Sequence, residues 1–245
     1  MEILKAVFYT PIFNLLVFLY NAIPGHDVGV AIVLVTVILR LLTLPLNTWS
    51  IKSQKALQDL QPKLKAIQEQ FKGDKEKQAR ETMALYSAEK VNPFSSCLPL
   101  LIQLPFLIAL YQVLQNVLSS RGFEVLYPFV GNPGVISPVS LGLINLSSPS
   151  WTLALIAGVS QFFQAKMMTV SRPPQPPAPG AKDEDTLALM NKQMIYMMPI
   201  MTVVIAWSLP AGLALYWIVM NALAIAQQWW VFKKKTVPEK NTVPA

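Results

Sequence analysis

The stretch VGVAIVLVTVILRLLTLPL, residues 28–46, decides how this chain folds. At about 1.5 Å of rise per residue, a helix of this length crosses most of a hydrocarbon core of about 30 Å. Arg40 lies inside the run, and no Asp or Glu in the long apolar runs is available to pair with it. An unpaired guanidinium in hydrocarbon costs at least about 3 kcal/mol. The run therefore predicts a membrane helix whose arginine is kept for function.

The composition supports a membrane protein. Of the 245 residues, 53% are hydrophobic and 13% are charged, with a mean hydropathy of +0.42. Soluble domains carry about 25% charged residues, so an ordinary soluble class is excluded. The net charge of +7 comes from basic residues that flank apolar runs, which does not indicate recognition of a specific nucleic-acid sequence. The single cysteine, Cys97, excludes an intrachain disulfide and is interpreted as a packing residue.

The apolar runs predict an all-α integral membrane protein. It has five transmembrane helices, an N-terminal interfacial amphipathic helix and a cytoplasmic helical hairpin. The predicted units are an interfacial helix 1–24, transmembrane helix 1 at 25–47, the hairpin 48–92, transmembrane helix 2 at 93–119, an external loop 120–148, transmembrane helix 3 at 149–168, a cytoplasmic Pro-rich loop 169–192, transmembrane helix 4 at 193–209, transmembrane helix 5 at 210–232 and a basic cytoplasmic tail 233–245.

Charge predicts the orientation of these helices. Residues 52–90 hold nine Lys or Arg, residues 166–192 hold four, and the tail begins with three lysines. Residues 119–148 hold one Arg and one Glu. Because cytoplasmic loops are enriched in Lys and Arg, the N-terminus is expected outside and the C-terminus inside.

Residues 1–24 are apolar but short. Pro11 and Pro24 bracket a segment too short for an untilted span, and Thr10, Asn14 and Asn21 fall near one helical face. A helix lying in the outer interface is therefore predicted, and a sixth span is the alternative. The start has no basic n-region or cleavage site, so no cleavable secretory signal is expected.

The segment after the first span predicts a helical hairpin. Five apolar residues repeat at spacings of 3, 4, 3 and 4, namely Leu57, Leu60, Leu64, Ile67 and Phe71. Pro62 is expected to bend this helix, and Gly73-Asp74 to end it. A second seam is expected at Ala79, Met83, Tyr86 and Lys90. The hairpin is interpreted as a docking or regulatory arm, and a simple linker between spans is the alternative.

A polar stripe surrounds the arginine. Thr36, Arg40, Thr43 and Asn47 are spaced 4, 3 and 4 apart, so they share one helix face that opens toward the cytoplasm. Other spans carry the amides of Gln103, Gln161, Gln164, Asn221, Gln227 and Gln228. Gathered around Arg40, these groups would line a wet cavity closed on the outside. The alternative is that Arg40 reaches inner-leaflet phosphates while each amide links two helices.

Other motifs are less specific. A stripe of methionines is formed by Met190, Met194, Met197 and Met201. It predicts packing against a neighbouring helix, and the alternative is an adaptable surface that binds varied apolar segments. The sequence has no Walker A, HExxH or GxSxG motif, and its one histidine is isolated. No catalytic residue, metal site or cofactor is therefore predicted.

Several short blocks occur together in a characteristic order. They are LR at 39–40, LPL at 44–46, LQPK at 60–63, NP at 92–93, CLP at 97–99, QLP at 103–105, ALY at 109–111, Gln164 followed by KM at 166–167, and PAGLALYW at 210–217. Over residues 10–235 this order resembles the YidC/Oxa/Alb family of membrane protein insertases. The chain resembles a minimal bacterial form of the family, without a large periplasmic domain.

The resemblance implies a five-helix insertase core in the bacterial inner membrane, with a hydrophilic groove open to the cytoplasm and to lipid. It implies that Arg40 lies in this groove and that Gln164 and Trp217 face it. The implied partners are nascent membrane proteins and membrane lipids, with the ribosome and the Sec translocon as further candidates, although the short basic tail argues against strong ribosome tethering. A small-anion transporter and a purely structural assembly factor are the alternative functions.

Overall fold

The computed structural model describes residues 2, 5–92, 98–168 and 184–234, and this part of the chain is mostly helical. The helices are α1 Thr10–Ala22, α2 Val28–Leu42, α3 Leu44–Asp59, α4 Gln61–Gln70, α5 Lys75–Ala88, α6 Leu98–Leu118, α7 Trp151–Met168, α8 Glu184–Trp207 and α9 Ala211–Lys234. A π-helical turn at Lys5–Tyr9 precedes α1, and a 3₁₀ turn occupies Phe123–Val125. Two short antiparallel strands, β1 Val139–Ser140 and β2 Ile144–Asn145, are a minor addition to the predicted all-α class.

Helix α1 packs one apolar face into the core. Phe13, Leu16 and Val17 are fully buried, where α1 contacts α2 and α6. Its polar face binds the segment after α6: the Asn14 amide donates to the Val125 carbonyl at 3.0 Å, and the Asn21 amide donates to the Gly131 carbonyl at 2.7 Å. The predicted amphipathic helix therefore exists, and its polar side faces protein.

The first predicted span is not one straight helix to residue 47. Helix α2 begins after Asp27, whose carboxylate caps it by accepting from the Val30 amide at 2.9 Å, and it ends at Leu42. The chain then bends by 65° before the helical stretch Leu44–Gln70. Pro45 explains the bend because it has no N–H to donate to the preceding turn and its ring clashes there.

The predicted hairpin is present, with two corrections. The first helix is divided into α3 and α4, and Pro62 lies in the first turn of α4, where its missing N–H is tolerated. Leu60 and Leu64 are buried, and Leu57, Ile67 and Phe71 are half-buried, as the spacing predicts. Asp74 caps α5 by accepting from the Lys77 amide at 3.1 Å.

The predicted seam of α5 is wrong at three of its four positions. Ala79, Met83 and Lys90 are exposed, whereas Tyr86 is half-buried and burial raises the pKa of its phenol. The side chain of Gln78 donates to the Gln68 carbonyl at 2.9 Å. This bond between α4 and α5 fixes a rotation of α5 that the apolar spacing does not encode.

Helices α7, α8 and α9 pack closely together, and α9 also contacts α2. Gly158 permits the approach of α7 to α8, because a Cβ atom there would lie 2.2 Å from Val203 Cγ2. Helix α8 begins at Glu184, before the predicted start of transmembrane helix 4 at residue 193. The Pro-rich stretch 169–183 and the side chains of Met190 and Met194 lie outside the described residues, while Met197 and Met201 are exposed.

Among the described residues, one helix is by itself long and apolar enough to cross a membrane, over Ala211–Lys233. Val28–Leu42 reaches that length only together with the bent stretch that follows it. Gln103–Leu118 and Ile195–Trp207 are shorter apolar helices.

Candidate functional site

Arg40 lies in a cavity of about 340 Å³ between the α2–α3 bend and helix α9. The lining is mostly apolar and consists of Val37, Arg40, Leu41, Leu44, Leu223, Gln227 and Trp230. Such a lining excludes competing polar groups, so electrostatic interactions of the guanidinium are stronger here than in water.

Within the described part of the chain, at least one donor of the guanidinium has no hydrogen-bond partner. Its Nε atom is buried and has no hydrogen-bond partner, and no described carboxylate is paired with it. A buried donor without a partner costs about 1–3 kcal/mol, and more when charged. The cavity is therefore suited to an external acceptor, such as water, a phosphate or a carboxylate.

Side-chain hydrogen bonds hold the bend that positions Arg40. The amide of Gln227 on α9 donates to the Leu44 carbonyl at 3.3 Å and to Thr48 Oγ1 at 2.9 Å. On the bend itself, the Asn47 amide donates to Thr43 Oγ1 at 2.9 Å, and Thr43 Oγ1 donates to the Leu39 carbonyl at 3.0 Å. Thr43 and Asn47 therefore support the backbone next to Arg40.

Thr36, the remaining member of the predicted stripe, is separate from the cavity. Its side chain is 1% exposed, and its hydroxyl donates to the Ile32 carbonyl at 2.6 Å. Its hydroxyl is satisfied within its own helix, and Thr36 is not one of the residues that line the cavity.

Three other predicted amides, on α6, α7 and α9, do not line this cavity. Gln103 donates to the buried Tyr216 hydroxyl, and Gln161 accepts from Thr202. Asn221 donates to Ser160 Oγ at 2.9 Å. These three bonds link neighbouring helices, which is the alternative role given to such amides in the sequence analysis.

Gln164 and Trp217, the two positions implied by the resemblance, are half-buried. Trp217 packs against the hydrophobic core. Arg40 shares the lining of this cavity with Gln227 and Trp230, and neither Gln164 nor Trp217 is part of that lining.

Of the three cavity residues on α9, Gln227 is one of the amides predicted to gather around Arg40, whereas Leu223 and Trp230 are not predicted. Leu223, Gln227 and Trp230 are spaced 4 and 3 apart, so the sequence does place them on one helix face. The spacing gives no sign that this face meets the α2–α3 bend, because helix neighbours are set by tertiary packing.

Taken together, the fold and the site define a mostly helical protein with at least one helix able to cross a membrane and an incompletely satisfied arginine in an apolar cavity. The profile of the 60Kd inner membrane protein family matches residues 18–239, and the chain belongs to that family.

Several relatives carry the name membrane protein insertase YidC. The protein from Syntrophobacter fumaroxidans is 36% identical over 84% of this chain and 34% of its own length. The protein from Syntrophus aciditrophicus is 34% identical over 91% of this chain and 36% of its own length. The protein from Ralstonia nicotianae is 38% identical over 82% of this chain and 32% of its own length.

The predicted membership of the YidC/Oxa/Alb insertases is thereby confirmed. The chain spans about a third of the length of these curated relatives.

Proposed function

We propose that this chain inserts newly made membrane proteins into the bilayer without chemical catalysis, metal or cofactor. Arg40 carries the proposal, because its Nε atom is buried without a partner beside an apolar cavity among the described residues. A client segment that brings a carboxylate satisfies the guanidinium during its passage and then leaves it free for the next client.

The proposed topology has five spans, α2, α6, α7, α8 and α9, with the N-terminus outside and the C-terminus inside. The basic residues concentrated in α3–α5 and after α9 support a cytoplasmic position for those parts. Helix α1 then lies in the outer interface, where its polar face holds the segment that follows α6. Arg40 lies in the last turn of α2, at its inner end, so its cavity opens toward the cytoplasm.

In the first step, the short polar or acidic tail of a client approaches Arg40 from the cytoplasm. Two opposite unit charges at 4 Å attract each other by about 4 kcal/mol at an effective dielectric constant of about 20, which offsets part of the cost of desolvating the tail. A potential of about 100 mV, positive outside, adds about 2.3 kcal/mol per acidic charge moved outward.

In the second step, the apolar segment of the client enters lipid beside the bundle. Favourable residues contribute about −0.3 to −0.6 kcal/mol each at the centre of a span, so a full segment supplies several kcal/mol without nucleotide hydrolysis. The exposed face of α8, with Met197 and Met201, offers adaptable side chains for this contact.

The main test is an insertion assay in proteoliposomes with a single-span client that has an acidic tail. Arg40→Ala is expected to slow insertion, and Arg40→Glu to slow it further because it repels the tail. Lys52→Ala is the matched control, because Lys52 is an exposed cation outside the cavity and its removal leaves insertion unchanged. Unchanged insertion in both Arg40 variants would overturn the electrostatic step.

The same vesicles separate this function from the two alternatives. A small-anion transporter would pass a trapped anion when no client is present. A purely structural assembly factor would retain its effect on folded partners when Arg40 is replaced. Client insertion that depends on Arg40, with no anion leak, is the outcome expected here.

The helical hairpin α4–α5 is proposed as a docking arm for the ribosome or the Sec translocon. Deleting residues 57–90 is expected to leave insertion of a purified client intact and to abolish delivery from translating ribosomes. Equal loss of both activities would show that the hairpin is needed for the fold of the bundle instead.

A further inference from the structure

The segment between α6 and α7 ends in a small β-hairpin with an unusual turn. Strands β1 and β2 pair Ser140 with Ile144, and the Leu143 amide closes the turn by donating to the Ser140 carbonyl at 3.0 Å. The two central residues, Leu141 and Gly142, both have positive φ, at 52° and 69°. Tight hairpin turns of this kind normally place Asn, Asp or Gly at the position occupied by Leu141.

This leucine is held in place by the N-cap of α2. The carboxylate of Asp27 accepts hydrogen bonds from the Leu141 amide and from Ser140 Oγ, the latter at 2.8 Å. A non-glycine residue at positive φ is strained, and such strain persists only where the surroundings impose it. The fold therefore fixes Leu141 in a costly conformation.

The fold gains no burial in return for this conformation. Leu141 is 71% exposed and Leu143 is 83% exposed. These two leucines, which we call the apolar finger, project from the hairpin tip with no apolar cover in the described protein. Leu141 thus adopts an unfavourable positive φ without burying its side chain, which indicates that the side chain contacts something outside the chain.

The position of the apolar finger indicates what that contact is. The hairpin base is bonded to the start of α9, where the Ala211 amide donates to the Ser148 carbonyl at 3.0 Å. Trp151 begins α7 and Trp207 ends α8, and both are more than 60% exposed (66% and 63%). Exposed tryptophans at helix ends are typical of the membrane–water interface.

The chemistry of the segment favours lipid over a protein partner. Residues 127–150 contain no charged side chain, so the surface offers nothing to steer or orient a charged partner. We propose that the apolar finger inserts into the acyl chains of the outer leaflet and fixes the depth of α2, and hence of Arg40. The leaflet assignment rests on the orientation given under the proposed function, whereas insertion into lipid does not.

The test uses a fluorescent probe at the finger. In a Cys97→Ser background, Leu143→Cys is labelled with an environment-sensitive dye, and the full chain is reconstituted into vesicles of phosphatidylethanolamine and phosphatidylglycerol. Arg121→Cys is the matched control, because this residue is exposed and charged in the same segment. We expect the dye at Leu143 to be quenched by lipids with a nitroxide on the acyl chain and shielded from aqueous iodide, and the dye at Arg121 to show the reverse.

Two outcomes would overturn the proposal. Iodide quenching at Leu143 as strong as at Arg121 would place the finger in water. Shielding from iodide without quenching by the nitroxide lipids would show that a second copy of the chain covers it.

A second variant tests Leu141 without endangering the fold. Leu141→Asn places a residue that tolerates positive φ at the strained position, so the unfolding temperature is expected to stay constant or rise. Lipid quenching of the dye at Leu143 is expected to fall at the same time; undiminished quenching would refute a lipid role for Leu141. Quenching of the dye by lipid is measured without a client and does not depend on insertion, whereas the Arg40 variants are judged by client insertion, so failure of either proposal is distinguishable.

Discussion

Replacing Arg40 with methionine is expected to make the protein more stable and less active. Met has a similar length, carries no charge and suits the apolar residues that line the cavity. If Arg40 is kept for function, its removal relieves a cost that the folded state bears. If it is a structural residue, the same replacement destabilises the fold.

The expected gain follows from the environment of the guanidinium. A cation at the centre of a membrane helix costs about 2.5–3.5 kcal/mol on insertion scales, and one buried donor without a partner costs about 1–3 kcal/mol. Arg40 is only half-buried and lies in the last turn of α2, so water reduces both costs. We expect stabilisation by about 1–3 kcal/mol, which raises the unfolding temperature by about 2–12 °C for a chain of this size.

Activity is expected to change in the opposite direction. Losing about 1.4 kcal/mol of attraction between the client tail and the cavity slows insertion about tenfold. Thermal unfolding in lipid nanodiscs and insertion into proteoliposomes measure the two quantities on one preparation, with Lys52→Met as the control. A client with a neutral tail should insert equally well with either protein. A lower unfolding temperature for Arg40→Met would refute the reasoning, because it would show that the guanidinium stabilises the folded chain.

The helices could be predicted because local signals agree with the packing. Pro11, Asp27, Gly73 and Pro210 lie at or next to helix ends, where proline, a capping carboxylate and glycine are expected. The apolar seam predicted for the first hairpin helix, which extends over α3 and α4, is half-buried or buried as its spacing predicts. In these places one residue type decides one local conformation.

The predictions were wrong where the conformation depends on a distant residue. Pro45 is a local signal that can be read from the sequence. The 65° bend at this position is also held by hydrogen bonds from Gln227, which is far away in the sequence. The rotation of α5 depends on the bond from Gln78 to the neighbouring helix. Sequence spacing reports one helix at a time and cannot supply such partners.

The same limit applies to the site. Arg40 could be singled out because a cation in an apolar run is costly wherever the other helices lie. Gln161 and Asn221 could not be assigned, because an amide in a span serves equally well for lining a cavity or for linking helices, and here each is bonded to a neighbouring helix. Three stripe residues stay close to the bend, whereas Thr36 is bonded within α2.

Three further variants test the packing. Gly158→Ala is expected to destabilise the protein by about 1–3 kcal/mol, because its Cβ would lie 2.2 Å from Val203 Cγ2 and 3.0 Å from the Pro199 carbonyl. Gly29→Ala is expected to cost a similar amount, about 1–3 kcal/mol, because its Cβ would lie 2.0 Å from Ser140 Oγ. Asp27→Ala removes the cap of α2 and is expected to cost about 0.5–2 kcal/mol. Unfolding in lipid nanodiscs measures all three.

Combining these variants shows whether Asp27 and Gly29 act on one structure. Both hold the hairpin against α2, so Gly29→Ala already displaces the groups that Asp27 binds. The double variant should therefore lose less stability than the sum of its parts, whereas Asp27→Ala with Gly158→Ala should be additive because Gly158 packs elsewhere, against α8. Gly131→Ala is the control, since its Cβ meets nothing closer than 3.7 Å and should change stability by less than about 0.5 kcal/mol. Additivity in both pairs would show that the cap of α2 and the position of the hairpin are independent, and the hairpin would then have no means of setting the depth of Arg40.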